Sequence, residues 1–161
     1  RSSNNINYQM IVTVEISTAR YKKFAEVVGR KNVHFEIDSP IDFINIANEG
    51  VNVSAISNFS RHFNLSKEFV AQILDISSPT LYRWTKANKS LERNFSVKLF
   101  DIIDLFLYGE EVFGDRDKFF KWLKLPNEAL GGNEPLTLME IPGCLSLVRD
   151  ILGRIEYGVY S

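Results

Sequence analysis

The stretch Ser66-Lys67-Glu68-Phe69-Val70-Ala71-Gln72-Ile73-Leu74-Asp75-Ile76-Ser77-Ser78-Pro79-Thr80-Leu81-Tyr82-Arg83-Trp84-Thr85-Lys86 decides what fold this chain is expected to have. Ser66 is a good helix cap, and behind it Phe69, Val70, Ile73 and Leu74 recur at helical spacing. Asp75-Ile76-Ser77 interrupts the pattern, and Ser78-Pro79 supplies a capping side chain and a fixed-φ first residue for a second helix. Two short helices with a three-residue turn have the length pattern of a helix-turn-helix, whose second helix enters the major groove of DNA. In that second helix Leu81 and Trp84 face inward. Pro79, Tyr82, Arg83 and Lys86 share the outer face, with Thr80 beside it. Ser78, Thr80, Tyr82, Arg83 and Lys86 are therefore the candidate DNA contacts: the cations can reach bases or phosphates, and the hydroxyls can donate to phosphate oxygens. From spacing alone, an αα-hairpin packed for core reasons competes on equal terms, and in a helical domain Tyr82 and Trp84 are more often packing aromatics than base-stacking ones.

Outward from this stretch the pattern stays helical. Ser39-Pro40 opens a helix with Ile41, Ile44 and Ala47 on one face, closed by Gly50, and residues 53–63 place Ile56, Phe59 and Phe63 at core spacing. A long helix is predicted from Asn94 to Val112, with Phe95, Val97, Phe100, Ile103, Phe106 and Leu107 as its apolar face and Gly114 as its stop. Asp115 caps a further helix carrying Phe119, Trp122 and Leu123. Residues 127–135, with Gly131-Gly132, read as a loop. Pro135 opens a short helix, and after Pro142-Gly143 a final helix buries Leu145, Val148, Ile151, Leu152 and Ile155. Toward the N-terminus Tyr8–Ile16 and Val33–Ile37 have the β-branched or alternating character of short strands, and Ser17–Val28 between them is compatible with a helix. Arg1 is no translational start, Met10 is a candidate one, and residues 1–7 contribute nothing to the fold expectation. The expected class is mainly α: a helix-turn-helix domain followed by a small all-helical C-terminal domain, with room for a short β element near the N-terminus.

Composition narrows the function classes. One cysteine and two histidines in 161 residues offer no disulfide framework and no metal-ligand cluster of usual spacing, so neither metal nor cofactor is expected and the location is expected to be cytoplasmic. No apolar run approaches the roughly 20 residues a bilayer requires, so no membrane association is expected. No Ser/His/Asp or Cys/His set can be assembled around His34, His62 or Cys144, and an enzyme is disfavoured, with no catalytic residue assigned. Net charge is −1, made of 0 over residues 1–50, +2 over 51–108 and −3 over 109–161. A mildly basic middle and an acidic end suit a DNA-facing part beside a part that meets another partner.

The end of the chain points to that partner. Glu110-Glu111-Val112-Phe113-Gly114-Asp115, Lys121-Trp122-Leu123, Pro126-Asn127-Glu128-Ala129-Leu130-Gly131-Gly132 and Pro135-Leu136, followed by the terminal Leu152–Ser161, resemble in order and spacing the toxin-binding domain of Xre/MbcA/ParS-type antitoxins of RES toxin–antitoxin pairs. Upstream, Ile76-Ser77 with Thr80-Leu81 and Arg83 resembles that family's DNA-reading turn. Ser78 and Pro79 depart from it, standing where family members often carry basic residues. The resemblance spans about the last 120 residues. It implies a type II antitoxin that binds a RES-domain, NAD-consuming toxin and covers its active site with the C-terminal domain. It also implies repression of the shared operon through operator DNA, and a homodimer. The toxin-binding candidates it implies are Arg154, Glu156, Tyr157 and Tyr160, expected after the last helical turn; Arg and Tyr are also the residue types that dominate interface hot spots. A helix end whose tyrosines fold back on the domain is the alternative for these residues. The corresponding division is an N-terminal extension at 1–38, a helix-turn-helix domain at 39–108 and a toxin-binding domain at 109–161. The competing function is a helix-turn-helix transcriptional regulator without a toxin partner.

Overall fold

The computed structural model describes residues 19–33 and 36–158. Among them the regular structure is helical: α1 (19–28), α2 (Pro40–Glu49), α3 (Ser54–His62), α4 (Lys67–Ile73), α5 (Ser78–Lys86), α6 (Arg93–Phe113), α7 (Arg116–Leu123), a 3-10 turn (Glu128–Leu130), α8 (Pro135–Leu138) and α9 (Leu145–Glu156). The mainly α class holds. The strand expected at Tyr8–Ile16 lies outside the described residues, as do His34 and Phe35, and the flanking Val33 and residues 36–38 have no regular structure.

Helix α6 is the organising element. Its apolar residues are not confined to one face: Ile102, Ile103, Leu105, Phe106, Leu107, Tyr108 and Gly109 are all buried, which requires neighbours around most of its circumference. α2, α7 and α9 pack along it. At its N-terminal half Phe24 of α1 stands edge-on to Phe43 of α2 and to Phe100, with ring centroids 4.5 and 5.1 Å apart. Further along, Phe106 meets Phe59, Phe63 and Phe119 at 5.3, 5.1 and 5.6 Å, so one ring joins α3, α6 and α7. Each such pair contributes about 0.5–1.5 kcal/mol beyond the area it buries. α6 runs without a break through the 108/109 position between the helix-turn-helix and toxin-binding segments.

Two local departures from the periodicity matter for the surface. Ile41 and Ile44 point outward, 65 and 53 % exposed, while Phe43, Ile46 and Ala47 form the face of α2 that meets the core. Both stripes have helical spacing; only the position of α6 decides between them. Val97, expected in the core, is likewise exposed, and with Ile41 and Ile44 it leaves apolar surface beside the α2–α6 groove.

Polar contacts fasten the halves of the molecule. Arg116 at the start of α7 pairs with Glu110 of α6 and donates to the carbonyl of His62, the last residue of α3, at 2.6 Å, with its guanidinium also 3.2 Å from the His62 ring. Burial first, and the nearby Arg116 charge second, push the His62 imidazole below its ordinary pKa, keeping it neutral against the cation. At Gly109 the chain needs the absence of a side chain, since a Cβ there would lie 2.2 Å from the Phe119 ring. Gly109→Ala is therefore expected to destabilise the fold by about 1–3 kcal/mol through overpacking. Thermal unfolding should show a melting point several degrees lower; an unchanged one would mean that Phe119 does not occupy this notch.

Candidate toxin-binding end and DNA-facing helix

The C-terminal end is built on α9. Val148, Ile151 and Leu152 are buried, with Leu145 and Ile155 half-buried at the same helical spacing, so one side of α9 is committed to the core. Leu147, Asp150, Arg154, Glu156 and Tyr157 are exposed on the rest of its surface. Arg154 and Glu156 lie within the last turn of α9, and not after it as the sequence reading placed them; Tyr157 caps the helix. Tyr157 is 80 % exposed and does not fold back onto the domain. Tyr160 lies outside the described residues.

Glu156 behaves differently from its neighbours. Its carboxylate accepts a hydrogen bond from the hydroxyl of Tyr108 on α6. Burial, reinforced by that hydrogen bond and the adjacent carboxylate charge, raises the Tyr108 phenol well above its ordinary value, so the hydroxyl stays a donor. Two guanidinium groups approach the same ring: Arg20 of α1 at 4.9 Å and Arg149 of α9 at 5.4 Å from its centroid. Arg20 grips Glu111 through two nitrogens at 2.6–3.2 Å and lies 3.8 Å from Asp104, which Arg149 also binds. Sequence reasoning missed this cluster. Its members are 20, 104, 108, 111, 149 and 156, and no local spacing links three separate helices.

The helix-turn-helix stretch takes its expected form with a one-residue shift of the cap. Ser66 caps α4, its hydroxyl accepting from the Phe69 amide at 3.0 Å. Asp75 takes a left-handed conformation, φ 57°, in the turn, which a short polar side chain tolerates. Ser77, not Ser78, caps α5: its hydroxyl accepts from the Thr80 amide at 3.2 Å and donates to the Thr80 hydroxyl at 2.8 Å. Leu81 is buried and Trp84 half-buried against Phe95 at 5.1 Å. Ser78, Pro79, Tyr82, Arg83 and Lys86 are exposed together, with Thr80 partly so. Arg83 donates to the Thr80 hydroxyl at 3.2 Å, and Lys86 lies 5.5 Å from the Tyr82 ring centroid. The five candidate DNA contacts thus belong to the N-terminal and outward surface of one helix.

Residues 109–158 match the family model described as the antitoxin Xre/MbcA/ParS C-terminal toxin-binding domain. Those residues form an Xre/MbcA/ParS-type toxin-binding domain, and over most of its length the chain is similar to antitoxins of that kind. It is 24 % identical over 117 residues to the antitoxin Xre of Photorhabdus laumondii, covering 72 % of this chain and 79 % of that one. To the Prs ADP-ribosylating antitoxin of a Sphingobium species it is 24 % identical over 132 residues, 76 and 83 % of the two chains. The antitoxin Xre of Yersinia enterocolitica is 25 % identical over 113 residues, 70 and 76 % of the two chains. Among solved structures it resembles a chain of the M. tuberculosis MbcT–MbcA toxin–antitoxin complex, with a TM-score of 0.51 and 23 % identity over 68 % of this chain and 96 % of that one, a likeness of fold. In this antitoxin, the helix that ends the toxin-binding domain is α9. Among the described residues no group of His, Cys, Asp and Glu could hold a metal ion, and no helix is long and apolar enough to cross a membrane.

Proposed function

We propose that this antitoxin inhibits a RES-domain, NAD-consuming toxin by placing its C-terminal end over the toxin's active site, in the cytoplasm and without catalysis of its own. The observation that carries the proposal is the exposure of Tyr157 and Arg154 at the end of α9, inside a toxin-binding domain whose opposite face is buried. A tyrosine this exposed at a helix end, beside an arginine, is the composition that interface hot spots favour. Residues 109–161 are the toxin-binding segment of this proposal, and Arg154, Tyr157 and Tyr160 are its contacts. Residues 39–108 supply the second activity, repression of the shared operon. In this proposal Arg83, which donates to the Thr80 hydroxyl, and Lys86 meet base edges and phosphates, with Ser78, Thr80 and Tyr82 donating to the backbone. A homodimer belongs to the same proposal, and Ile41, Ile44 and Val97 are among the exposed apolar side chains available to it. A transcriptional regulator without a toxin is the second reading, favoured by the complete outward face of α5.

A RES-type reading frame beside this gene should yield a protein that co-purifies with the chain. Deleting Tyr157–Ser161 leaves α9 whole, and cells expressing the pair should then lose protection while the antitoxin keeps its helical circular dichroism. Full protection by the truncated chain would refute the proposed inhibition.

Changing Arg83 and Lys86 together to alanine should weaken operator binding about tenfold or more and lower the slope of log affinity against log salt by about one to two. Binding unaltered in both respects would remove α5 from the DNA contact.

A further inference from the structure

Glu156 is badly placed for the helix that carries it. A carboxylate in the last turn meets the negative end of the helix dipole, so α9 gains nothing from this charge by itself. What compensates the position is the cluster below it. The Tyr108 hydroxyl donates to the carboxylate, and the Arg20 and Arg149 guanidiniums lie against the Tyr108 ring from α1 and α9. Asp104 and Glu111 hold those two arginines in turn.

Geometry then fixes what faces out. Successive residues in a helix turn by about 100°, so a residue two positions from Glu156 lies roughly 200° around the axis. Pinning Glu156 toward α6 therefore turns Arg154 away from the domain. It also holds the backbone at Tyr157, whose amide donates to the Gly153 carbonyl at 3.1 Å. Helix ends fray unless something satisfies or anchors them, and here the anchor is a side chain 48 residues earlier.

We propose that Tyr108 is a positioning residue for toxin inhibition: by holding Glu156 it sets the direction in which Arg154 and Tyr157 reach the toxin, and Glu156 is an anchor within the chain rather than a toxin contact. The proposal rests on the reading that the C-terminal end meets the toxin. It takes Glu156 out of the set of contacts that sequence resemblance implied, and it couples α1, through Arg20, to the inhibitory end.

The test is a double-mutant cycle within the full-length antitoxin, read as the dissociation constant for the toxin encoded by the adjacent frame, with operator affinity and melting temperature measured in parallel. Tyr108→Phe and Glu156→Ala should each weaken toxin binding about tenfold, and the double variant should lose no more than either single one, because both break the same bond. Glu156→Gln should stay within a few-fold of the wild type, since its amide oxygen still accepts from Tyr108. Operator affinity should be unchanged in all four. The proposal is overturned if Tyr108→Phe binds toxin normally, if the two losses add, or if Glu156→Gln loses as much as Glu156→Ala, which would make the Glu156 charge a direct toxin contact. Because Glu156 is on the surface, its variants keep the test decisive even if Tyr108→Phe lowers stability. Deleting Tyr157–Ser161 separates the two levels. If that deletion abolishes binding while the cycle shows no coupling, the toxin reading stands and the positioning role falls; if it leaves binding intact, the toxin reading fails and the positioning role with it.

Discussion

Burial of α6 around most of its circumference is the constraint from which the rest of the molecule follows. From Ile102 to Gly109 every residue except Asp104 is buried, so the helix must be sheathed around most of its circumference, and α1, α2, α3, α7 and α9 supply the sheath. The aromatic side chains do the joining: Phe100 receives Phe24 and Phe43, and Phe106 receives Phe59, Phe63 and Phe119. Close packing of this kind is sensitive to single methyl groups, and at Gly109 the helix gives up a side chain so that Phe119 can enter. The helix-turn-helix stretch and the toxin-binding domain thus share one central helix.

That sharing gives the two proposed contact faces their relation to each other. α5 projects its cationic surface from the helix-turn-helix segment, whereas α9 ends in Arg154 and Tyr157 at the close of the chain. Neither surface is needed for the core. Leu81 and Trp84 secure α5, and Val148, Ile151 and Leu152 secure α9, so the exposed residues of both helices are free to be chosen for partners. Small networks hold them in place: Ser77, Thr80 and Arg83 at one face, Tyr108 and Glu156 with their arginines at the other.

Much of this was legible in the sequence where the signal is local. Serine and aspartate caps, prolines in first turns and apolar residues three and four apart located α2 to α9 to within a few residues, with a 3-10 turn inside the stretch expected to be a loop. The blocks from Glu110 to Leu136 pointed to the toxin-binding domain. What the sequence left hidden depends on the packing of distant segments. Two helical stripes of α2 are equally apolar, and only contact with α6 selects Phe43, Ile46 and Ala47 over Ile41 and Ile44. The choice of Ser77 over Ser78 as cap is a matter of one residue of backbone. The resemblance implied only that Glu156 is a toxin-binding candidate; its partner Tyr108 stands 48 residues earlier, although the unfavourable place of Glu156 at a helix C-terminus was a signal that a partner existed.

The central claim, that the end of α9 is where the toxin binds, is tested most directly by hydrogen exchange on the purified complex with the toxin of the neighbouring frame. The account predicts protection of residues 153–161 on complex formation, with the amides of α5 exchanging as in the free antitoxin. Protection centred on α5, with residues 153–161 exchanging freely, would contradict it.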